Sequence, residues 1–369
     1  MSYKIFAINP GSTSTKIALF DGDTKLFSKN VSHDAAELAA FPEISDQLAC
    51  RRDTILGELG DAGISLAEVD AYVGRGGGLL PMEGGVYPIN DVLLEHARTS
   101  RNGVHHPANL GSQLAWEFAC LYGKPAFVVN PPDTDELQDV ARMTGLRGVY
   151  RTVRLHALNL KETAIRHAKS VGRRYEDCNF IVCHMGGGLS VSAHRRGKMI
   201  DGNDIVGGDG PMAPTRCGSL SVEEVVQLCF AEGASRKDII RLCQKTGGFV
   251  SHLGTHEAVE VLERAAAGDA RARRVWGAML YQTAKYICSM AGVLEGKVDA
   301  ILLGGGMVHS AELVKYITDA CSWIAPVFAY PGEFEMEAMA AGVMRVLTGE
   351  EKVRTYTGIP VWQGFEDGE

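Results

Sequence analysis

Short apolar runs alternate with helical patterns along the whole chain. Nine of these runs have the length and the residue types of β-strands, and turn residues bound each of them. They lie at residues 5–8, 17–20, 71–73, 126–129, 180–183, 189–193, 198–201, 300–303 and 327–329. Because the strands alternate with helices, the pattern predicts an α/β fold.

The clearest helical pattern spans about residues 270–291. Its apolar positions recur at helical spacing and include Val275, Trp276, Met279, Leu280, Ile287 and Met290. A stripe of this kind predicts a helix that packs on a core. Residues 350–369 lose the periodicity and are polar apart from Val361 and Trp362, so we expect a tail or an arm packed on the surface.

The length of 369 residues is too great for one ordinary core and predicts two domains. A basic cluster at residues 147–154 marks the best boundary. We therefore expect an N-terminal domain over residues 1–155, joined by the C-terminal segment of about 340–369. A second, nucleotide-binding domain is expected over residues 156–339.

Composition argues against several classes of function. The net charge of −8 disfavours nucleic acid as a partner, because a phosphate backbone requires a basic face. No apolar stretch reaches the roughly 18–20 residues that span a membrane. The nine cysteines are odd in number and form no CxxC pair, which is typical of reduced core thiols. Together these features predict a cytoplasmic enzyme that acts on small molecules.

A glycine corner between two strands stands near the N-terminus. The first apolar run ends at Asn9, the corner contains Gly11, Ser12 and Ser14, and the next strand follows Lys16. The N–H groups and hydroxyls of such a corner can hold phosphoryl oxygens, and the lysine adds positive charge.

A second copy of this layout follows residues 180–183. His184 ends the apolar run, and Gly186, Gly187 and Gly188 form the corner. Glycine corners bring backbone N–H groups close to an anion, most often a phosphate. The repeated layout therefore predicts a duplicated fold that holds a nucleotide between its halves.

Two further candidates follow predicted strands. Arg75 lies among the glycines of Val73–Gly78, where its guanidinium can bind a carboxylate or a phosphate with two hydrogen bonds. Asp133 follows the strand at residues 126–129, where ligands bind in α/β sheets, and it could orient Mg²⁺. A glycine hinge with a solvated arginine, and a Pro-Asp turn, remain the alternatives.

His156 and Arg216 are candidates for contact with a transferring phosphoryl group. His156 precedes a predicted helix, and Arg216 is the only cation of the loop at residues 209–219, which two prolines stiffen. An imidazole can donate a hydrogen bond to the phosphoryl group, and a single arginine on a rigid loop suits charge stabilisation. A helix-terminal histidine and a purely structural loop are the alternatives.

The last candidates lie beyond residue 300. Gly304, Gly305 and Gly306 follow a buried strand and permit close approach of a nucleotide. Glu333 and Glu335 precede a helix of small residues and could hold Mg²⁺ through water. Acidic residues at a helix start also favour the helix dipole, so a structural role stays open.

Several other enzyme classes lack their required segments. The chain contains no GxxxxGK[ST], no dinucleotide GxGxxG with a following acidic residue, no HExxH, no zinc spacing and no GxSxG.

Nine segments in a fixed order resemble the acetate and butyrate kinase family of the sugar-kinase, Hsp70 and actin superfamily. They are NPGSTSTK, VGRGGG, HHPAN, NPPDTDE, LHALN, HMGGG, GGDGPMAPTRCG, LLGGGM and YPGEFEMEA. The resemblance covers about residues 3–347. In detail it is closer to the butyrate kinases of the family, because acetate kinases carry RVVHGG in place of VGRGGG.

The resemblance implies duplicated ribonuclease-H-like domains with an active site in the cleft between them. It implies reversible phosphoryl transfer between ATP and a carboxylate, with Mg²⁺ as cofactor and a homodimer or a higher homo-oligomer as the assembly. Position by position, it places Arg75 and Asn9 at the carboxylate and phosphoryl site and surrounds the transferred group with Asp133, His156 and Arg216. Butyrate, isobutyrate or a related branched-chain acid is the implied substrate.

Two rival functions stay open from the sequence. One is an acetate or propionate kinase with the same chemistry and a smaller acyl pocket. The other is a nucleotide-binding protein of the actin or Hsp70 type without small-molecule turnover. The set of Arg75, Asp133, His156 and Arg216 argues against the second, because a nucleotide switch does not need two arginines aimed at another substrate.

Overall fold

A computed structural model describes residues 2–365 of the chain. Its strands are β1 (Lys4–Pro10), β2 (Ser14–Asp21), β3 (Thr24–Ser32), β4 (Ala71–Gly74), β5 (Val86–Pro88), β6 (Ala126–Val129), β7 (Asn179–Met185), β8 (Leu189–Arg195), β9 (Lys198–Gly202), β10 (Ala300–Gly305) and β11 (Val327–Pro331). All nine predicted strands are confirmed.

The α-helices alternate with these strands. They are α1 (Ala35–Ala39), α2 (Leu48–Asp61), α3 (Asp91–Thr99), α4 (Leu110–Tyr122), α5 (Asp139–Arg142), α6 (Ala157–Ser170), α7 (Val222–Cys229), α8 (Arg236–Gln244), α9 (Gly248–Leu253), α10 (Ala258–Ala266), α11 (Ala270–Val293), α12 (Ala311–Cys321) and α13 (Glu335–Leu347). Short 3₁₀ turns lie at Ile44–Gln47, Pro107–Asn109, Tyr175–Asp177 and Gly306–His309.

The chain forms two compact units. Unit 1 comprises the described parts of Met1–Asp135 and Phe334–Glu369, and unit 2 comprises Glu136–Glu333. The sequence pattern predicts boundaries at residues 155 and 339. The first boundary lies earlier because Glu136 belongs to unit 2, where its carboxylate accepts hydrogen bonds from Lys161 Nζ and from the N–H of Met199.

The sheet of unit 1 has the strand order β3-β2-β1-β4-β6-β5. β1, β4 and β6 run parallel, whereas β2, β3 and β5 pair antiparallel with their neighbours. The sequence pattern missed β3 and β5. Only Val31 of β3 is buried, so this strand carries little apolar alternation, and β5 has only three residues.

The sheet of unit 2 has the order β11-β10-β7-β8-β9. β7, β10 and β11 are parallel, and β8 and β9 complete an antiparallel meander with β7. The layout repeats that of unit 1, in which β1, β2 and β3 form the meander. The predicted duplicated α/β fold is therefore confirmed.

Apolar packing secures each sheet. In unit 1 the rings of Phe6 and Phe118 meet edge to face at 6.1 Å between centroids. In unit 2 the stripe predicted on α11 is buried, with Trp276 and Met279 in the core cluster. This helix begins where the Asp269 carboxylate accepts hydrogen bonds from the N–H groups of residues 271 and 272.

The C-terminal segment completes unit 1. Helix α13 packs on the sheet so closely that a Cβ at Gly342 would lie 2.6 Å from Val129. Beyond it the predicted arm makes backbone hydrogen bonds from Arg354 N to Val86 O and from Val361 N to Pro81 O. Tyr356 is buried rather than a surface residue, and its hydroxyl accepts from Leu80 N at 2.9 Å. Residues 366–369 of the arm lie outside the described range.

A search of residues 2–365 finds no α-helix with the length and apolar content to cross a bilayer.

Candidate active site

The candidate residues of unit 1 lie where its three parallel strands end. Asn9 is the next-to-last residue of β1, Arg75 directly follows β4, and Asp133 follows β6. A backbone hydrogen bond from Arg75 N to Ile8 O, 2.8 Å long, holds Arg75 next to the end of β1. The carboxyl ends of parallel strands are the edge at which α/β sheets bind ligands.

The first glycine corner is a tight turn between β1 and β2. Gly11 N donates to Ser14 O at 2.7 Å, and Ser12 lies exposed at the tip. Lys16 is exposed on β2 and pairs in register with Asn9. The corner therefore presents hydroxyls and a lysine on one hairpin, as the sequence predicted.

Arg75 is buried, and one nitrogen of its guanidinium makes no hydrogen bond to the described residues. Its side chain is 8 % exposed, and Nη2 lies 3.5 Å from Glu335 Oε1. Nη1 has no hydrogen-bond partner among residues 2–365. The other oxygen of Glu335 accepts from Asn9 Nδ2 at 2.6 Å, so this carboxylate bridges Asn9 and Arg75. A buried donor without a partner is costly unless a ligand supplies the acceptor.

The glycines around Arg75 allow close packing of backbone. A Cβ at Gly74 would overlap the carbonyl of Gly111 at the start of α4, and one at Gly77 would overlap Asn109 Oδ1. Gly78 adopts a positive φ of 74°, which favours glycine. The segment is therefore held against α4 rather than acting as a free hinge. This packing fixes the backbone position from which the Arg75 side chain extends.

Asp133 is buried and holds the loop that follows these glycines. Its carboxylate accepts from Leu79 N at 3.3 Å and from the Asn102 side chain. Its backbone carbonyl accepts from Met82 N. The contacts show a loop-organising role for Asp133, next to the strand end on which Arg75 lies.

Sequence reasoning missed Arg51, which lies on α2 behind the first corner. Its side chain is fully buried and donates hydrogen bonds to the carbonyls of Gly11 and Ser12 at 2.9 and 3.0 Å. A signal was present in the sequence. Arg51 stands four and eight residues before Ile55 and Leu59, on the apolar face of the helix.

The second corner brings together five predicted residues of unit 2. The imidazole rings of His156 and His184 lie 4.5 Å apart between centroids. Arg216 Nη1 donates to Gly187 O at 3.3 Å. A Cβ at Gly188 would overlap the Arg216 guanidinium and approach His156 Cε1 to 3.2 Å. Glycine at position 188 therefore makes room for both side chains over the corner.

Neighbouring groups fix the positions of His156 and Arg216. His156 precedes α6, and its Nδ1 lies 2.8 Å from Ser190 Oγ on β8, a serine that sequence reasoning missed. The backbone of Arg216 makes reciprocal hydrogen bonds with that of Ala213. Partial burial lowers the pKa of the Arg216 guanidinium, but arginine keeps its charge at any physiological pH.

The remaining candidates of unit 2 lie at the same end of its sheet. Gly304 pairs in register with His184, and Gly305 has a φ of 100° that favours glycine. Gly306 begins the 3₁₀ turn that follows β10. Glu333, exposed after β11, lies near the second corner, since a Cβ at Gly186 would be 3.3 Å from its Oε1.

The oxygen ligands suit a hard cation such as Mg²⁺, although the described residues contain no cluster of three or more metal-binding side chains. Mg²⁺ usually keeps several waters and binds through one or two carboxylates together with substrate phosphates. The Glu335 and Asp133 carboxylates already accept protein hydrogen bonds, whereas Glu333 is exposed. Of the three candidates, Glu333 therefore fits a hydrated cation best.

A separate cavity of about 360 Å³ lies in unit 1 between the loop after Met82 and the C-terminal arm. Glu83, Tyr87, Arg354 and Tyr356 are among its lining residues. None of the predicted site residues lines it, so it does not belong to the candidate site.

Comparison with known proteins relates the chain to one family. Residues 148–323 match the Acetokinase family. A "Probable butyrate kinase" of Clostridium botulinum (strain Alaska E43 / Type E3) is 42% identical over 356 residues, which cover 96% of this chain and 100% of that protein. The crystal structure of Porphyromonas gingivalis acetate kinase superposes with a TM-score of 0.77 at 20% identity, covering 94% of this chain and 100% of the other.

A propionate kinase from Francisella tularensis subsp. tularensis SCHU S4 has the same fold. It superposes with a TM-score of 0.70 at 18% identity, covering 92% of this chain and 98% of the other. At such low identity the superpositions establish the fold alone, whereas the 42% identity over nearly the whole chain establishes the family. The chain belongs to the acetokinase family, and it is a kinase.

Proposed function

We propose that this kinase transfers the γ-phosphoryl group of ATP reversibly to a short-chain carboxylate, with butyrate or isobutyrate as the substrate. The butyrate kinase name of the 42%-identical relative supports this choice of acid. The observation that carries the proposal is the buried Arg75 guanidinium, whose Nη1 has no partner among the described residues. A planar carboxylate is the ligand that an arginine fork binds best.

The reaction needs no general base. A carboxylate is already ionised at neutral pH, so one of its oxygens attacks the γ-phosphorus in line. A new P–O bond forms to the acid while the bond between the γ-phosphorus and the bridging oxygen of ADP breaks. Catalysis of such a transfer consists mostly of positioning and charge stabilisation. We assign the positioning of the carboxylate to Arg75.

The charge of the transferred group would be balanced by Arg216 and His156. Their packing over Gly188 at the second corner supports this role, because both donors converge on one small area of backbone. Asp133 would act by holding the loop after Gly78 in place. We assign these residues to the catalytic set together with Arg75.

The nucleotide and its phosphates would contact the two corners and the end of β10. We assign this binding to Asn9, Gly11, Ser12, Ser14, Lys16, His184, Gly186, Gly187, Gly188, Gly304, Gly305 and Gly306. Mg²⁺, held through water by Glu333 with Glu335 and Asp133 as lesser candidates, would neutralise charge on the phosphates when bound. A homodimer or a higher homo-oligomer, and a cytoplasmic location where ATP is supplied, complete the proposal.

A hydroxamate trap for acyl phosphate tests the function directly. The enzyme is incubated with ATP, Mg²⁺ and each acid from acetate to valerate and isobutyrate. We expect the strongest signal with butyrate and isobutyrate. If acetate or propionate gives the strongest signal, the proposed substrate is wrong but the proposed mechanism stands. No signal with any acid, while ATP is still bound, would remove the proposed function.

A further inference from the structure

Arg51 reaches the first corner from inside unit 1. Its side chain is 0 % exposed, and Nη1 donates to Gly11 O at 2.9 Å, to Ser14 O at 3.3 Å and to Thr15 Oγ1 at 3.2 Å. Nη2 donates to Ser12 O at 3.0 Å. One guanidinium therefore binds four oxygens of a single turn.

The charge of Arg51 has no counter-ion in the described part of the chain. Its remaining hydrogen bonds go to Gln47 Oε1, so every oxygen that it contacts is neutral. No carboxylate of residues 2–365 forms an ion pair with it. Burial lowers the pKa of this guanidinium, as expected for a charge removed from water, yet arginine stays protonated. The corner therefore has an uncancelled positive charge directly behind it.

The carbonyls that Arg51 binds determine which way the peptide N–H groups point. A trans peptide directs its N–H opposite to its C=O, and the described chain contains no cis peptide bond. Because the carbonyls of Gly11 and Ser12 face Arg51, the N–H groups of Ser12 and Thr13 face away from it. Thr13 O is also held inside, by His33 N at 2.9 Å. Consecutive outward N–H groups form an anion-binding concavity.

We propose that Arg51 is the positioning residue of the first corner. It holds the N–H groups of Ser12 and Thr13 outward and supplies positive charge behind them, so that the corner binds the phosphoryl groups of a nucleoside triphosphate. The inference rests on the proposed function for the identity of the anion. Arg51 does not touch the substrate, and it acts through the backbone of the corner.

The test compares the binding of two probes to the full-length protein. One is the triphosphate analogue AMPPNP with Mg²⁺, and the other is adenosine, which lacks phosphate. Arg51→Gln removes the charge and most of the donors, whereas Arg51→Lys keeps the charge and loses the fork. Arg52→Gln is the matched control, because the Arg52 side chain is half-buried and contacts Asp53 and Glu117 rather than the first corner.

We expect Arg51→Gln to weaken AMPPNP binding by at least about tenfold, the effect of losing a charge-assisted contact, while adenosine binding changes less than about twofold. Arg51→Lys should lie between this variant and the wild type, and Arg52→Gln should match the wild type. An equal loss for both probes, or unchanged AMPPNP binding, would overturn the proposal. So would a wild type that binds AMPPNP no more tightly than adenosine.

A second variant keeps the test decisive if Arg51→Gln does not fold. Thr15→Val removes one of the four oxygens that Arg51 binds while preserving side-chain volume. It should weaken AMPPNP by a few-fold and spare adenosine, and an equal effect on both probes would contradict the proposal. Neither probe requires carboxylate turnover. A failure of the hydroxamate assay would therefore remove the proposed function without deciding the role of Arg51.

Discussion

The two glycine corners share a hairpin design but receive their arginines from opposite directions. At the first corner Arg51 is fully buried and binds carbonyls from inside unit 1. At the second corner Arg216 comes from a loop and lies over Gly188, with His156 beside it. Arg51 can shape its corner and add charge to it, whereas Arg216 lies over the second corner, where a ligand could contact it.

We infer from this difference that the two corners of the duplicated fold have different roles. On the function proposed above, the first corner would hold an anion in a fixed place, and the second would place side chains against one. Substitutions at the second corner should therefore lower kcat. Substitution of Arg75, which follows β4 in unit 1, should instead raise the KM for the carboxylate. The four predictions below test this contrast in order of decreasing effect.

The largest effect is expected from Arg216→Ala. Loss of an arginine that stabilises phosphoryl-transfer charge lowers kcat by ~10²–10⁴-fold in comparable enzymes, and we expect that range here. The unfolding midpoint should stay near the wild-type value, because Gly187 O is the only acceptor of the side chain among residues 2–365. Steady-state kinetics with Arg236→Ala, an exposed arginine on α8, serves as control. A loss below tenfold would exclude the assigned role.

Arg75→Ala should separate binding from turnover. Removing the guanidinium removes hydrogen bonds to a charged ligand, so the KM for the carboxylate should rise by roughly 10–100-fold. The KM for ATP should change by less than about threefold if Arg75 contacts only the acid. Arg98→Ala, an exposed residue on α3, is the matched control. An unchanged carboxylate KM would take Arg75 out of the substrate site.

Gly188→Ala tests the packing of Arg216 without removing it. The new Cβ would overlap the end of the Arg216 side chain, which must then move from the corner. Misplacement of a catalytic group by about 1 Å can cost up to about 10²-fold, and we expect a loss of roughly tenfold in kcat. Gly187→Ala has no atom within 4 Å of its Cβ and provides the comparison. Equal losses in both variants would argue against this explanation.

The smallest effect concerns pH and the support of the first corner. Burial, with a further contribution from Arg51, lowers the pKa of His33, whose Nε2 lies 2.8 Å from Thr15 Oγ1. The folded state therefore binds a proton less readily than the unfolded chain. The free energy of unfolding should be highest above about pH 6.5, the pKa of unperturbed histidine, and should fall as the pH decreases below it.

Urea unfolding at several pH values between 8 and 5 measures this dependence. His33→Gln should show a shallower decline than the wild type, because one of the groups that resist protonation is absent. His194 is buried as well, with its pKa well below the ordinary value, so part of the decline should persist in this variant. An identical pH dependence for both proteins would rule out the contribution of His33.

Much of the fold was predictable because the buried strands carry uninterrupted apolar runs. β7 and β10 are buried along nearly their whole length and their positions follow from composition alone. β3 was not predictable, since its stability comes from pairing with β2 rather than from its own apolar residues. Local pattern identifies a strand only when burial dictates its composition.

The candidate site was predictable as a set of residue types but not as a set of contacts. The glycines and arginines of the segments pointed to anions, and the family resemblance supplied the roles. The contact of Arg216 with Gly188 depends on how a distant loop closes on the corner, which no local pattern records. Arg51 was missed because it binds neutral backbone oxygens, and these leave no charged partner to find in the sequence.

The return of helix α13 to unit 1 sets an order for the synthesis of this protein. Unit 2 is continuous in sequence, so every residue of its core is available once Glu333 has left the ribosome. The sheet of unit 1 emerges before unit 2, yet the helix that covers Val129 is made only after unit 2. The N-terminal strands therefore stay partly uncovered while unit 2 is translated. Their exposed apolar surface makes this part of the nascent chain prone to aggregation.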